Sequence, residues 1–165
     1  MTGKIEQKLR EKGLELPAPM QVPPGLILPF SWCKVIGNRV TLSGHLPLSS
    51  DGSLWPVTGK VGKDVDIEQA YAAAQQATLG MLATLQRELG SLDRIDNWVK
   101  IFGMVNTATG FHQTAPVING CSDLLIDLFG DRIGSHTRSA VGFAELPFNC
   151  PVEIEGELTI AGETK

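Results

Sequence analysis

No stretch of this 165-residue chain approaches the roughly 18 consecutive apolar residues that a membrane-spanning helix requires. Basic charge is not in excess either. Fourteen Lys and Arg against 18 Asp and Glu leave a net charge of −4, and no Lys/Arg run supplies the cationic face that displaces counterions from nucleic-acid phosphates. Cysteine is scarce: Cys33, Cys121 and Cys150 are odd in number, widely spaced and without a CxxC pair, which argues against a disulfide framework. His45, His112 and His136 show no HxH or HExxH spacing, so no metal site is expected and each reads as a surface or loop residue. The Gly-rich stretch GSLWPVTGKVG has the wrong glycine spacing for a phosphate loop, and Val61 stands where a Ser or Thr would hold Mg²⁺. No cofactor is expected. The start, MTGKIEQKLREKGLEL, is charged and has no apolar centre of signal-peptide length, so the expected location is the cytoplasm.

What is present is a globular composition, 42% hydrophobic and 19% charged, in a chain long enough for one domain with a real core. Ile5 to Lys12 reads as a short helix with Ile5 and Leu9 on one side, stopped by Gly13. Residues 17–29 hold five of the ten prolines and form an extended arm. A strand over Val35–Ser43 is interrupted by the turn signal Gly37-Asn38, and a loop follows with its clearest turn at Asp51-Gly52. Asp66 is placed to cap a helix reaching Leu89, with Gln69 in the capping-box position and Gly90 as its stop. Its inward stripe is Ile67, Ala70, Ala74, Ala77, Met81 and Leu85. Asn97–Asn106 reads as a strand. A second helix runs from Pro116 to Phe129, with Val117, Cys121, Leu124, Leu125 and Leu128 inward.

The stretch HTRSAVGFAELPFNCPVEIE, His136 to Glu155, reads as two strands joined by a proline-containing turn, a closing hairpin. From Val152 to Ile160 the even positions are apolar or glycine, and the odd positions are Glu153, Glu155, Glu157 and Thr159. Strict alternation of this kind suits a half-buried strand with one solvated face. The element order describes an α+β sandwich, one sheet with two long helices on one face. Yet Trp98, Phe102 and Met104 alternate with Val99, Ile101 and Val105, so both faces of that strand are apolar. With no helix left to cover the second face, the expected cover is another subunit.

Arg138-Ser139-Ala140-Val141, Leu146-Pro147 and Val152-Glu153-Ile154-Glu155 resemble, in residues and spacing, the C-terminal motif of the RidA/YjgF family of reactive-intermediate deaminases, long labelled endoribonuclease L-PSP. Ser43-Gly44-His45-Leu46-Pro47 is similar to the family's Ser-Gly-Gln-(Ile/Leu)-Pro turn, and Asn119 fits the asparagine opening its second long helix. The resemblance implies a chorismate-mutase-like sandwich with one mixed sheet, assembled as a trimeric barrel with clefts between subunits. It divides the chain into an N-terminal helix and proline-rich arm, residues 1–25, and a RidA/YjgF-like domain, residues 26–165. It also implies hydrolysis of enamines and 2-imino acids to 2-keto acids and ammonia, the activity of a 2-iminobutanoate/2-iminopropanoate deaminase.

On that resemblance Arg138 binds the substrate carboxylate, and Glu153 positions the water and exchanges its proton. Phe30, Gly44, Asn119 and Ala140 line the site, and the ligand is a small carboxylate-bearing imine or keto acid. Phe30 stands where the family has tyrosine, Ala140 where it has cysteine, and His45 replaces glutamine. The alternative is a non-catalytic trimer that binds small carboxylates, with a ribonuclease a distant third. In a simple hairpin Glu153 would face Ala144, leaving Arg138 roughly 20 Å further along the strand. Either the strands are not hairpin partners, or the link is offset, or the two residues meet across subunits.

Overall fold

The computed structural model describes residues 3–162. Met1, Thr2 and residues 163–165, the outer ends of the two expected segments, lie outside the described residues. The elements run α1 (Lys4–Glu11), β1 (Cys33–Ile36), β2 (Arg39–His45), α2 (Ile67–Leu89), β3 (Ile95–Asn106), α3 (Thr114–Gly134), β4 (Thr137–Phe143) and β5 (Val152–Ile160). They form one mixed sheet in the order β1-β2-β5-β3-β4, with α2 and α3 packed together on one face.

The local signals act as their chemistry requires. Asp66 accepts from the Gln69 backbone N–H at 2.8 Å while the Gln69 side chain accepts from the Asp66 N–H at 3.1 Å, satisfying two donors that a helix start leaves free. Gly90 closes α2 at φ 80°, a left-handed cap open to glycine at no steric cost. The alanines of α2 let α3 approach closely, and a Cβ at Gly120 would collide with the Tyr71 carbonyl oxygen. The expected β1–β2 interruption is a hairpin, Ile36 pairing Arg39 across the Gly37-Asn38 turn. Helix α3 begins two residues before the expected start, and Gly130 breaks it at φ 73°, ψ 166°, so its last turn leaves at a new angle.

Three expectations are corrected. The closing strands are not a hairpin: β4 pairs parallel with β3, and β5 pairs antiparallel with β2 on one side and β3 on the other. The link between them therefore steps over β3, about 10 Å at the usual strand spacing. Asn106, fully buried, holds that link by donating to Asn149 Oδ1 and the Cys150 carbonyl, each at 3.2 Å. The faces of β3 also differ from simple alternation. The β3–β5 register slips between Trp98 and Lys100, leaving Val99 43% exposed and turning Trp98 into the core against Phe129. Finally, His45 is no surface histidine; it is 4% exposed.

The core lies between sheet and helices, where Ile101, Ile154 and Leu158 meet Met81, Leu85, Ile118 and Leu125. Helix α1 adds Ile5 and Leu9 to the same cluster, and Lys8 Nζ donates to the Leu128 carbonyl at 2.7 Å. On the opposite face Phe102, Met104 and Val141 are only half-covered and Phe143 is exposed.

Candidate functional site

Arg138 sits on the edge strand β4 opposite Ile101, and Ile101 points into the helix-side core. Paired residues share a face, so the guanidinium reaches α3 rather than the open face of the sheet. Nη1 donates to Asn119 Oδ1 at 2.9 Å and to Ser122 Oγ at 3.0 Å. Those two residues are one turn apart on α3 and so occupy one helix face. Both Nη1 hydrogens are thus taken, while Nε and Nη2 have no protein partner among the described residues. That edge has the spacing and planarity to hold a carboxylate through two parallel hydrogen bonds. Ala140 faces the same way, half-buried against the core, and its carbonyl accepts from Thr114 Oγ1 at 3.0 Å.

Sequence reasoning missed two members of this cluster. Ser122 Oγ lies 3.0 Å from His136 Nε2, and His136 Nδ1 lies 2.7 Å from the Gly134 carbonyl. Burial lowers the His136 proton affinity; the Gly134 carbonyl opposes that, and the Arg138 charge adds to it. Signals for both existed. Ser122 follows Asn119 by three residues on a helix, and His136 precedes Arg138 by two along an extended segment, placing each pair on one face.

Glu153 pairs with Met104 and faces the open side of the sheet. Its carboxylate lies over Gly44: a Cβ there would sit 2.8 Å from Glu153 Cδ and closer still to Oε1, so any larger residue would displace the carboxylate from this position. Burial, and then the neighbouring Glu155, raise its proton affinity above the ordinary carboxylate value. Glu155 itself is exposed, and Glu157 pairs with Arg39 at 3.1 Å on the surface, where such a pair contributes little. An open trough of about 260 Å³ runs beside them, lined by Thr41, Lys100, Phe102, Glu155 and Glu157.

Gly44 is fixed by its neighbours. His45 is neutral and anchored at both nitrogens, Nδ1 to the Ser43 carbonyl at 2.7 Å and Nε2 to Thr84 Oγ1 at 2.9 Å. Burial pushes its proton affinity down to about 4. Trp32 stacks at a tilt against it, ring centroids 5.3 Å apart, and Phe30, half-exposed, meets Trp32 edge-on at 5.0 Å.

The six expected site residues therefore fall into separate groups. Arg138, Asn119 and Ala140 are together on the helix side of the sheet edge. Glu153 and Gly44 are together on the open side, with Phe30 two aromatic contacts away through Trp32 and His45. One chain does not bring Arg138 to Glu153. No group of three or more His, Cys, Asp or Glu side chains is placed to hold a metal among the described residues, and no described helix is long and apolar enough to cross a membrane.

Two long helices on one face of a mixed five-stranded sheet, with a tethered arginine at its edge, define an α+β protein of the chorismate-mutase-like class. The chain belongs to the family described as "YjgF/chorismate mutase-like, putative endoribonuclease", whose model matches residues 6–156. Protein TCP17 of Trypanosoma cruzi is 34% identical over 154 residues, covering 93% of this chain and 92% of its own. The crystal structure of Atu1372 from Agrobacterium tumefaciens, of unknown function, is 36% identical and superposes with a TM-score of 0.85, covering 95% of this chain and 92% of that one. The Escherichia coli YjgF gene product shares the fold at 18% identity and a TM-score of 0.57, covering 88% of this chain and 97% of that one.

Proposed function

We propose that the protein hydrolyses small 2-imino acids to 2-keto acids and ammonia, in clefts between the subunits of a homotrimer. The observation that carries this reading is the half-committed arginine: Asn119 and Ser122 tie Nη1, and the Nε–Nη2 edge is left to grip a carboxylate. Glu153 supplies the other requirement. Ionised, it accepts a proton from water as the oxygen attacks the carbon of the protonated imine, and it returns that proton to the carbinolamine nitrogen. It then takes up the remaining hydroxyl proton as the C–N bond breaks, the keto group forms and ammonia leaves. A carboxylate whose proton affinity is raised exchanges protons nearer neutral pH than an ordinary glutamate does. The uncatalysed reaction is already facile, so the site need lower the barrier by only a few kcal/mol, each ~1.4 being tenfold.

Arg138 lies on an edge strand and Glu153 on the open face, so the reading requires a neighbouring copy to bring its Glu153, Gly44 and Phe30 to this Arg138. The half-covered apolar residues Phe102, Met104 and Val141 and the exposed Phe143 support such a partner. Imino acids generated in situ by an amino-acid oxidase, with their decay followed for wild type, Arg138→Ala and Glu153→Gln, test the proposal. Wild type should accelerate decay and both variants should not.

The second reading is a non-catalytic trimer that binds small carboxylates. It is favoured by the completeness of the Arg138 cluster within one chain, away from Glu153. Unchanged imine decay together with saturable binding of a 2-keto acid would select it. A ribonuclease must hold phosphates against an open face carrying Glu153, Glu155 and Glu157, which opposes them. Salt-sensitive RNA cleavage would reinstate that activity.

A further inference from the structure

We propose that Ser122 and His136 are positioning residues, a relay of fixed hydrogen-bond direction that locks the roll of the Arg138 guanidinium and so sets which of its edges meets the ligand. The ligand half of this statement rests on the carboxylate-binding reading above; the relay itself does not.

The direction of each bond follows from counting hydrogens. A backbone carbonyl has none to give, so His136 Nδ1, 2.7 Å from the Gly134 oxygen, carries the ring proton. In the neutral ring Nε2 is then an acceptor, and Ser122 must spend its single hydroxyl hydrogen there, at 3.0 Å. What remains on Ser122 Oγ is lone pairs, and one of them receives Arg138 Nη1 at 3.0 Å. Asn119 Oδ1 takes the second Nη1 hydrogen at 2.9 Å. The guanidinium is held at two points on one nitrogen, which stops it rotating to present a different pair of donors.

The source of the arrangement is local. Gly130 breaks α3, the short turn after it ends at Gly134, and the Gly134 carbonyl is what selects the His136 tautomer. Serine without the histidine would be free to turn its hydrogen toward the guanidinium or the ligand, and the lock would be lost.

The test uses Ser122→Ala, His136→Leu and His136→Gln, the last keeping an acceptor within reach of Ser122. For imine hydrolysis, the first two variants should raise KM about tenfold with kcat little changed, and His136→Gln should recover most of the loss. In parallel, ¹⁵N NMR of the full-length protein reads the His136 tautomer and the Arg138 Nε–H signal without any turnover. The relay predicts an Nδ1–H ring and an Arg138 signal that is sharp in wild type and His136→Gln but exchange-broadened in Ser122→Ala and His136→Leu. An Nε2–H tautomer, or an Arg138 signal and KM indifferent to Ser122→Ala, would overturn it. Wild type that neither turns over imines nor binds pyruvate, while the NMR signature holds, would remove the carboxylate reading and leave the relay standing.

Discussion

Replacing His45 by glutamine should flatten the acid sensitivity of the fold by an amount set by the burial of the imidazole. His45 is 4% exposed, its nitrogens are committed to Ser43 and Thr84, and its environment disfavours the charged ring. Burial is the main cause of its depressed proton affinity; the bond to the Ser43 carbonyl opposes the shift and the Arg87 charge adds to it. The unfolded chain takes up this proton near pH 6.5, whereas the folded chain does so only at about 4. Between those values the unfolded state binds more protons, so stability is full above pH 6.5 and falls as the pH drops toward 4. A separation of 6.5 to about 4, at ~1.36 kcal/mol per pH unit, is a loss of about 3 kcal/mol. That is a large share of the 5–15 kcal/mol typical of a domain.

Urea denaturation at pH 7.5 and pH 4, at fixed protein concentration, measures it. Glutamine's own packing cost shifts the variant equally at both pH values, and the other titrating groups are common to the two proteins. Wild type should therefore lose about 3 kcal/mol more than His45→Gln over this interval. Equal losses, or a more acid-resistant wild type, would refute a buried neutral imidazole.

Other outcomes follow from the open face of the sheet. Gly44→Ala puts a methyl group into the Glu153 carboxylate, and kcat should fall about tenfold or more while the melting temperature moves only a few degrees; full activity would mean that Glu153 does not need that perch. Glu155→Gln removes the second cause of the raised Glu153 proton affinity, so the acid limb of kcat/KM should move to lower pH. A limb that stays in place would count against Glu153 as the titrating group. Val141→Glu places a charge on the uncovered face beside Met104 and should dissociate the proposed trimer in sedimentation velocity; a monomeric wild type would refute the proposed assembly.

Much of this molecule was legible in residue order. Asp66 with Gln69, Gly90, and the Gly37-Asn38 turn act through their nearest neighbours, and each appears where local chemistry puts it. The alternation of Val152–Ile160 likewise survives, because the extra residues at the register shifts fall in β2 and β3 and leave β5 itself regular. The misreadings share a different cause. That β4 lies beyond β3 rather than beside β5 depends on pairings between distant segments, and nothing in the eight residues linking them announces a skipped strand. The Val99 bulge is one extra residue, which shifts Trp98 to the other face without changing composition. His45 looked like a loop residue because Thr84, which satisfies it, is 39 positions away. In the candidate site, Arg138 and Asn119 were found through resemblance. Ser122 and His136 were marked only by their spacing, and their meaning depends on a helix break at Gly130 that aims a carbonyl.

In the proposed assembly each site is shared between copies, Arg138 from one and Glu153 from its neighbour. Co-expressing Arg138→Ala and Glu153→Gln chains, each inactive alone, and assaying imine hydrolysis by the mixed trimers tests it most directly. A shared cleft is intact where a Glu153→Gln chain offers its arginine to the glutamate of an Arg138→Ala chain, so random assembly should restore about one quarter of wild-type activity. No activity above that of the separate variants would mean that Arg138 and Glu153 do not meet across copies.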